Sequence, residues 1–301
     1  MKKIYILEHF DFNAEQMKKM KTLGEVKYFD KANQQQIDEA IEKADVILLD
    51  WIDPNPILAK MRKGQFICLP YTGYDWIGNI EVAKSNGVVI SNTPNYSTNA
   101  VAEHHLSLIL ACAKHIVFFN NIYKSGASVP FNRTKELTQA KVGIIGLGHI
   151  GTRLAELLKS FNVEILTYSK TPKKMKGIKN VNLETLLKEC DVVCNTCRLT
   201  PQTKNMLGKK QFEIMKENSI LTSTTGGIIN LDELVNYVDK FYGIGLDDVD
   251  QQTVPKKLLQ NEKVVCTYHR AFDTNESENN RISLCIANIE AFLNGNPINQ
   301  I

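Results

Sequence analysis

The chain lacks any apolar run approaching the roughly 20 residues that span a bilayer, so no transmembrane helix is expected. Its net charge is only +3 over 301 residues, too little to argue for a nucleic-acid or membrane-surface partner. The N-terminus, MKKIYILEHFDF, has two lysines before four apolar residues, but neither a long apolar core nor a small-residue cleavage site. It reads as a first strand rather than a signal peptide. The seven cysteines are odd in number and scattered through apolar runs, which suits reduced thiols in a cytoplasmic protein better than a disulfide framework. Cys194 and Cys197 form a C-x-x-C near Cys190, yet no second such pair and no Cys/His pair accompanies them. Buried structural thiols and no metal site are the expectation. Internal repeats and low-complexity tracts are also missing.

What is present centres on Lys141 to Tyr168, KVGIIGLGHIGTRLAELLKSFNVEILTY. Val142–Ile145 is a short apolar run suited to a buried parallel strand. Gly146, Gly148 and Gly151 follow at G-x-G-x-x-G spacing, and Leu154, Leu157, Leu158 and Phe161 then recur at helical spacing. A second apolar run, Val163–Tyr168, completes a strand–helix–strand unit. The first glycine allows the tight turn, the second lets backbone approach a pyrophosphate, and the third lets helix and strand pack closely. The phosphates then meet free N–H groups at the helix N-terminus, here His149 and Ile150. Glycine spacing alone is a weak signal; the flanking strand and helix make this one a dinucleotide site.

On either side the pattern alternates strand and helix, which predicts parallel sheets. The first 90 residues offer strands at Lys3–Leu7, Val26–Phe29, Val46–Leu49, Phe66–Leu69 and Val88–Ile90, with helices at Ala14–Lys21, Gln34–Ile41, Pro56–Met61 and Trp76–Ser85. This block has no glycine-rich phosphate loop of its own. After a turn-rich link, Thr98 or Asn99 can cap a helix reaching about Tyr123, roughly 40 Å long at 1.5 Å per residue. His104, His105 and His115 lie on it; the first two are neighbours and point to different faces, and all three read as packing or surface residues. A polar loop with Pro130 leads into the second block. Its further strands are predicted at Val192–Thr196, Ile220–Thr224, Tyr242–Leu246 and Val264–Cys266, and its helices at Thr185–Cys190, Lys209–Met215 and Leu231–Lys240. A last helix is predicted at Ile282–Leu293.

With these pieces placed, the chain resembles the D-2-hydroxyacid dehydrogenase family. The likeness is carried by Asn92-Thr93-Pro94, Ala100-Val101-Ala102-Glu103, GIIGLGHIG, Leu199-Thr200-Pro201-Gln202-Thr203, Gly226-Gly227, Gly245-Leu246-Asp247 and Thr267-Tyr268-His269. The resemblance implies an α/β protein of two domains: a Rossmann-type dinucleotide-binding domain over residues 96–281, and a flavodoxin-like parallel-sheet substrate domain built from residues 1–95 and 282–301. It also implies an active site in the cleft between domains and a homodimer formed through the cofactor domain and the long helix.

Family chemistry uses an Arg to hold the substrate, a His to move the proton and a Glu to support that His. The His corresponds to His269. The Arg position, before the Gly-Gly pair, is Thr225. The Glu position falls at Gln252, or at Asp250 if the assignment slips by two, since the loop Gln251–Pro255 departs from the family's pattern. A hydrogen bond to a charged group is worth about 1.5–3 kcal/mol, and Arg–carboxylate pairs are usually bidentate. Thr225 offers one neutral hydroxyl, so an ordinary 2-oxo acid is expected to bind poorly. Arg270 and Arg198 are candidate replacements for the missing charge, or else surface or phosphate-contacting arginines. The family places backbone N–H groups of Tyr71-Thr72-Gly73 on the substrate. It places Asp247 at the nicotinamide amide, and Cys197–Arg198, Thr203 and Thr224 along the cofactor.

Folds that choose NAD put an acidic residue at the end of the second strand of the dinucleotide unit. Here that position is Ser169, followed by Lys170, Thr171, Pro172, Lys173 and Lys174. A hydroxyl and a lysine cluster suit the 2′-phosphate of NADP, with NAD the second choice. A charge run is otherwise a solvated turn. The expectation is an NADP-dependent oxidoreductase acting on a small carbonyl or hydroxy compound, with a nucleotide-binding regulator on the same fold as the alternative.

Overall fold

The computed structural model describes residues 1–129, 133–171 and 173–301. Pro130 and Pro172, named above, lie outside the described residues. In chain order the elements are β1 Lys3–Ile6, α1 Ala14–Leu23, β2 Glu25–Tyr28, α2 Gln34–Lys43, β3 Val46–Leu48, α3 Pro54–Lys60, β4 Phe66–Leu69, α4 Ile80–Ser85, β5 Val89–Asn92, α5 Thr98–Lys114 and α6 Ile116–Ser125. There follow β6 Lys141–Ile145, α7 His149–Leu158, β7 Glu164–Tyr168, β8 Ile178–Asn180, α8 Leu183–Glu189, β9 Val192–Asn195, α9 Lys209–Ile214, β10 Ile220–Ser223, α10 Leu231–Leu234, β11 Gly243–Leu246, α11 Lys256–Leu259, β12 Val264–Cys266 and α12 Asn275–Leu293. The chain divides into two compact units, Met1–Ser97 with Asp273–Ile301, and Thr98–Phe272.

The first unit is a parallel sheet in the order β2-β1-β3-β4-β5, the flavodoxin-like 2-1-3-4-5 arrangement. Its central strands β1, β3 and β4 are buried on both faces, and their largely apolar sequences (KIYI, VIL, FICL) follow from that, whereas edge strand β2 (EVKY) has no buried residue. Asn13 and Asn33 start α1 and α2 with capping boxes completed by Gln16 and Gln36. α12 lies on this sheet, its Ile282, Cys285, Ile286 and Ile289 in one core with Ile4, Leu48 and Phe66. It starts seven residues earlier than the apolar periodicity suggests. Thr274 accepts the Ser277 N–H as its cap, and Glu276 and Glu278 occupy the first turn, so its opening residues are polar and carry no hydrophobic signal.

The second unit is an all-parallel sheet in the order β12-β11-β10-β9-β6-β7-β8. Counted from β6, this is the Rossmann order 3-2-1-4-5-6 with one strand added beyond the sixth. The order reverses between β6 and β9, which pair from Val142↔Val192 to Ile145↔Asn195. Strand β8 gave no signal in the sequence because it is a three-residue edge strand with two exposed positions.

The single long helix expected from a cap at Thr98 or Asn99 to about Tyr123 is broken. His115 adopts φ 50°, and its N–H turns back to the Cys112 carbonyl at 3.3 Å, so α5 and α6 meet at a 58° bend. The His115 ring packs on Tyr242, 4.5 Å between centroids. The helix expected over Leu231–Lys240 is likewise split, into α10 and a 3₁₀ turn at Val238–Lys240. Among the described residues no single helix is long and apolar enough to cross a membrane.

Candidate active site

The glycine turn follows β6 at the reversal point. Gly146 has φ 97°, which only glycine adopts freely. A Cβ there would lie 2.9 Å from the Cys197 backbone, so the loop after β9 passes directly against the turn. A Cβ on Gly151 would sit 2.0 Å from the Gly146 carbonyl, whereas one on Gly148 would meet nothing within 4 Å. The turn is therefore closed on its protein side and open over Gly148. α7 begins at His149 with no side-chain cap, leaving the first-turn N–H groups to an outside acceptor. This cradle fits a dinucleotide pyrophosphate. The Gly146 N–H donates to the Tyr168 carbonyl at 2.8 Å, which brings the end of β7, and with it Ser169, beside the turn. The Ser169 hydroxyl donates to the Thr171 carbonyl, and Lys170, Lys173 and Lys174 are exposed.

Thr196, not singled out in the sequence, locks the turn: its hydroxyl donates to the Gly146 carbonyl at 2.6 Å. Cys197 is half-buried, and burial pushes its thiol up to about 11. Cys190 and Cys194 are fully buried, with thiols pushed up to about 12 by the same cause. All seven cysteines are unpaired thiols. Thr203 is engaged in its own turn, its hydroxyl donating to the Arg198 carbonyl and accepting from the Thr200 N–H.

The second cluster sits at the carboxyl ends of β10, β11 and β12. Asp247 is fully buried. One of its oxygens accepts the Thr267 hydroxyl at 2.5 Å and the Arg270 N–H at 2.9 Å; the other accepts the Ala271 N–H at 3.0 Å. This clamps the turn that carries His269, whose own N–H donates to the Asp247 carbonyl and whose φ is 50°. His269 Nδ1 lies 3.4 Å from Asp248 Oδ1, and Asp248 Oδ2 accepts the Gly226 N–H at 2.9 Å. Thus Asp248 is the carboxylate beside His269. Gln252, where the family pattern points, is exposed, and its backbone N–H goes to Asp250.

The paired histidines of α5 serve different partners. His104 Nε2 is 3.0 Å from the Thr267 hydroxyl and 3.4 Å from Asp247. His105 is fully buried between the hydroxyls of Thr222 (2.9 Å) and Thr224 (3.3 Å); burial lowers its pKa to about 3 and keeps it neutral. Thr225 stands at the head of the Gly226-Gly227 turn, its N–H 3.3 Å from the Ser223 hydroxyl. Tyr71, Thr72 and Gly73 belong to the other unit, on the loop after β4, where Asn92 donates to the Thr72 carbonyl.

The strand order and the glycine turn define a Rossmann-type dinucleotide-binding protein. The family model for the D-isomer specific 2-hydroxyacid dehydrogenase, NAD binding domain, matches residues 106–271. The glyoxylate reductase of Thermococcus litoralis is 30% identical over 85% of this chain and 83% of its own. The hydroxypyruvate reductase of Blautia hydrogenotrophica is 26% identical over 99% of both. A solved acyclic imino acid reductase in complex with NADPH and D-Arg superposes with a TM-score of 0.88, 26% identical, over the full length of both chains. The chain belongs to the D-isomer specific 2-hydroxyacid dehydrogenase family. It is an oxidoreductase of that type, uses a nicotinamide cofactor and acts on a small molecule.

Proposed function

We propose that this oxidoreductase uses NADP and moves hydride between the nicotinamide and a small carbonyl or hydroxy compound, with His269 as acid and base. The observation that carries the reading is the His269–Asp248 pair. When bound, the nicotinamide supplies or accepts the hydride. During reduction His269 donates the proton at Nε2 to the substrate oxygen as negative charge develops there; during oxidation it takes that proton back. Asp248, against Nδ1, holds the ring and stabilises the imidazolium. The Asp247 clamp keeps the backbone of His269 in its left-handed turn.

NADP is preferred to NAD because the end of β7 presents Ser169 and exposed lysines and no carboxylate. The NADPH complex of the imino acid reductase favours the same choice. That relative also brings C=N bonds into range, since an imine carbon accepts hydride as a carbonyl does. Thr225, in the position where the resemblance expects Arg, argues against an ordinary 2-oxo acid. In this reading unit Met1–Ser97 with Asp273–Ile301 is the substrate domain. The ten residues of α6, none of them buried, with Ile116, Val117 and Tyr123 exposed, suit a homodimer contact. The unpaired thiols suit the reducing cytoplasm.

The test is a carbonyl and imine screen with NADPH, followed by His269→Ala on whichever substrate turns over. Turnover should fall by about 10²–10⁴-fold, the usual worth of a general acid, with NADPH affinity retained. A variant as active as wild type would remove His269 from the chemistry.

A further inference from the structure

We infer that the cavity beside Thr225 is a substrate subsite for a cationic group, a primary ammonium or a guanidinium on a short aliphatic stem. The inference rests on the reductase reading and names the class of substrate that reading leaves open.

The cavity has a volume of about 280 Å³ and lies at the carboxyl ends of β10 and β11. Its polar lining includes Thr225, Thr253, Asp248 and Asp250, and Leu231 and Val249 contribute to an apolar wall. Among the described residues that line it there are two carboxylates and no Lys, Arg or His. The carboxylates are held in place by the backbone: Asp248 Oδ2 accepts the Gly226 N–H and Asp250 Oδ1 accepts the Gln252 N–H, both at 2.9 Å. An ionised carboxylate offers about four acceptor positions, so each keeps acceptors for a guest.

The wall is held by its backbone. A Cβ on Gly226 would lie 2.6 Å from the Asp248 carbonyl, and Gly227 has φ 72°; the turn below Thr225 therefore needs both glycines to close on the Asp248 strand end. The charge of the cavity decides its guest. A substrate carboxylate placed there would meet two like charges, the partly exposed Asp248 and the exposed Asp250, a repulsion that solvent weakens but does not remove. An ammonium or guanidinium would meet them with hydrogen bonds strengthened by charge, while the apolar wall takes its methylene stem. Asp248 also stands against His269 Nδ1, at 3.4 Å, so a cation bound to Asp248 shares that carboxylate with the proposed proton donor.

The test uses the full-length protein and four probes of one shape: n-butylguanidinium, n-butylammonium, neutral n-butylurea and butanoate. Each is titrated calorimetrically into protein saturated with NADPH, and again into cofactor-free protein. The two cations should bind at least tenfold more tightly than butylurea, and butanoate should not bind. Asp250→Asn should weaken the cations at least fivefold with NADPH affinity unchanged. Thr225→Arg, which tethers a guanidinium in the cavity, should abolish cation binding. The inference is overturned if butylurea matches the cations, if butanoate binds better, if no cation binds, or if Asp250→Asn changes nothing while circular dichroism shows it folded. Loss of NADPH binding alone would count against the reductase reading, and the cofactor-free titration would still decide the cavity.

Discussion

Asp248 holds one carboxylate oxygen 3.4 Å from His269 Nδ1 and the other 2.9 Å from the Gly226 nitrogen. One side chain thus ties the turn after β12 to the turn after β10. Substituting Asp248→Asn keeps an acceptor for Gly226 but removes the charge facing His269. His269 then loses its negatively charged neighbour, so turnover should fall while NADPH affinity and thermal stability are kept. Asp248→Glu should restore most of the turnover. Wild-type turnover for Asp248→Asn would dissociate the pair from catalysis.

The glycine turn makes a paired prediction. Gly151→Ala places a methyl 2.0 Å from the Gly146 carbonyl, so it should lower both thermal stability and NADPH affinity. Gly148→Ala has open space around its methyl and an ordinary φ of −77°. It should fold with wild-type stability and lose nucleotide affinity alone. Thermal unfolding and calorimetry on both variants separate the two effects.

In the other unit, Arg281 is 8% exposed and bidentate on Asp50, at 2.6 and 3.0 Å, with Glu278 on its remaining face. Arg281→Met leaves the Asp50 carboxylate buried without its partner, a loss of about 3–5 kcal/mol. Asp50→Asn in the same chain should recover a large part of it. Urea unfolding of the single and double variants measures the coupling; independent, additive losses would contradict it.

His105 sets an acid limit on stability. In the fold its pKa is lowered to about 3 by burial, against 6.5 for an ordinary imidazole. The unfolded chain binds more protons between those values, so the contribution of His105 is complete above 6.5 and drains as pH falls. The slope reaches about 1.4 kcal/mol per pH unit. His115, lowered by burial, adds in the same direction, and His9, raised by hydrogen bonds to Asp30 and Asp11, opposes. Urea unfolding between pH 7 and about 4.5, above most carboxylate titration, should show a steady loss that His105→Gln flattens.

The sequence was legible where chemistry and periodicity coincide. The β6–α7–β7 unit announced itself because Gly146, Gly148 and Gly151 sit between an apolar strand and an amphipathic helix. The buried parallel strands read as apolar runs for the same reason. The break at His115 was not legible: its left-handed backbone answers packing against Tyr242, and nothing in the flanking residues signals a stop. The start of α12 was hidden because polar capping residues carry no period. The carboxylate that stands 3.4 Å from His269 Nδ1, Asp248, was not among the positions read from the sequence, Gln252 or Asp250, because the contact is made between turns after two different strands. His104 read as a packing or surface residue because its partners, Thr267 and Asp247, lie far away in sequence.

The proposal of NADP over NAD rests on the end of β7, where Ser169 and exposed lysines stand and no carboxylate does. The most direct measurement is a pair of calorimetric titrations of the purified protein, with NADPH and then NADH. Tight NADPH binding with NADH at least tenfold weaker is the predicted result, and Ser169→Asp should narrow or reverse the gap by placing a carboxylate against the 2′-phosphate. Tighter binding of NADH by the wild-type protein would contradict the account.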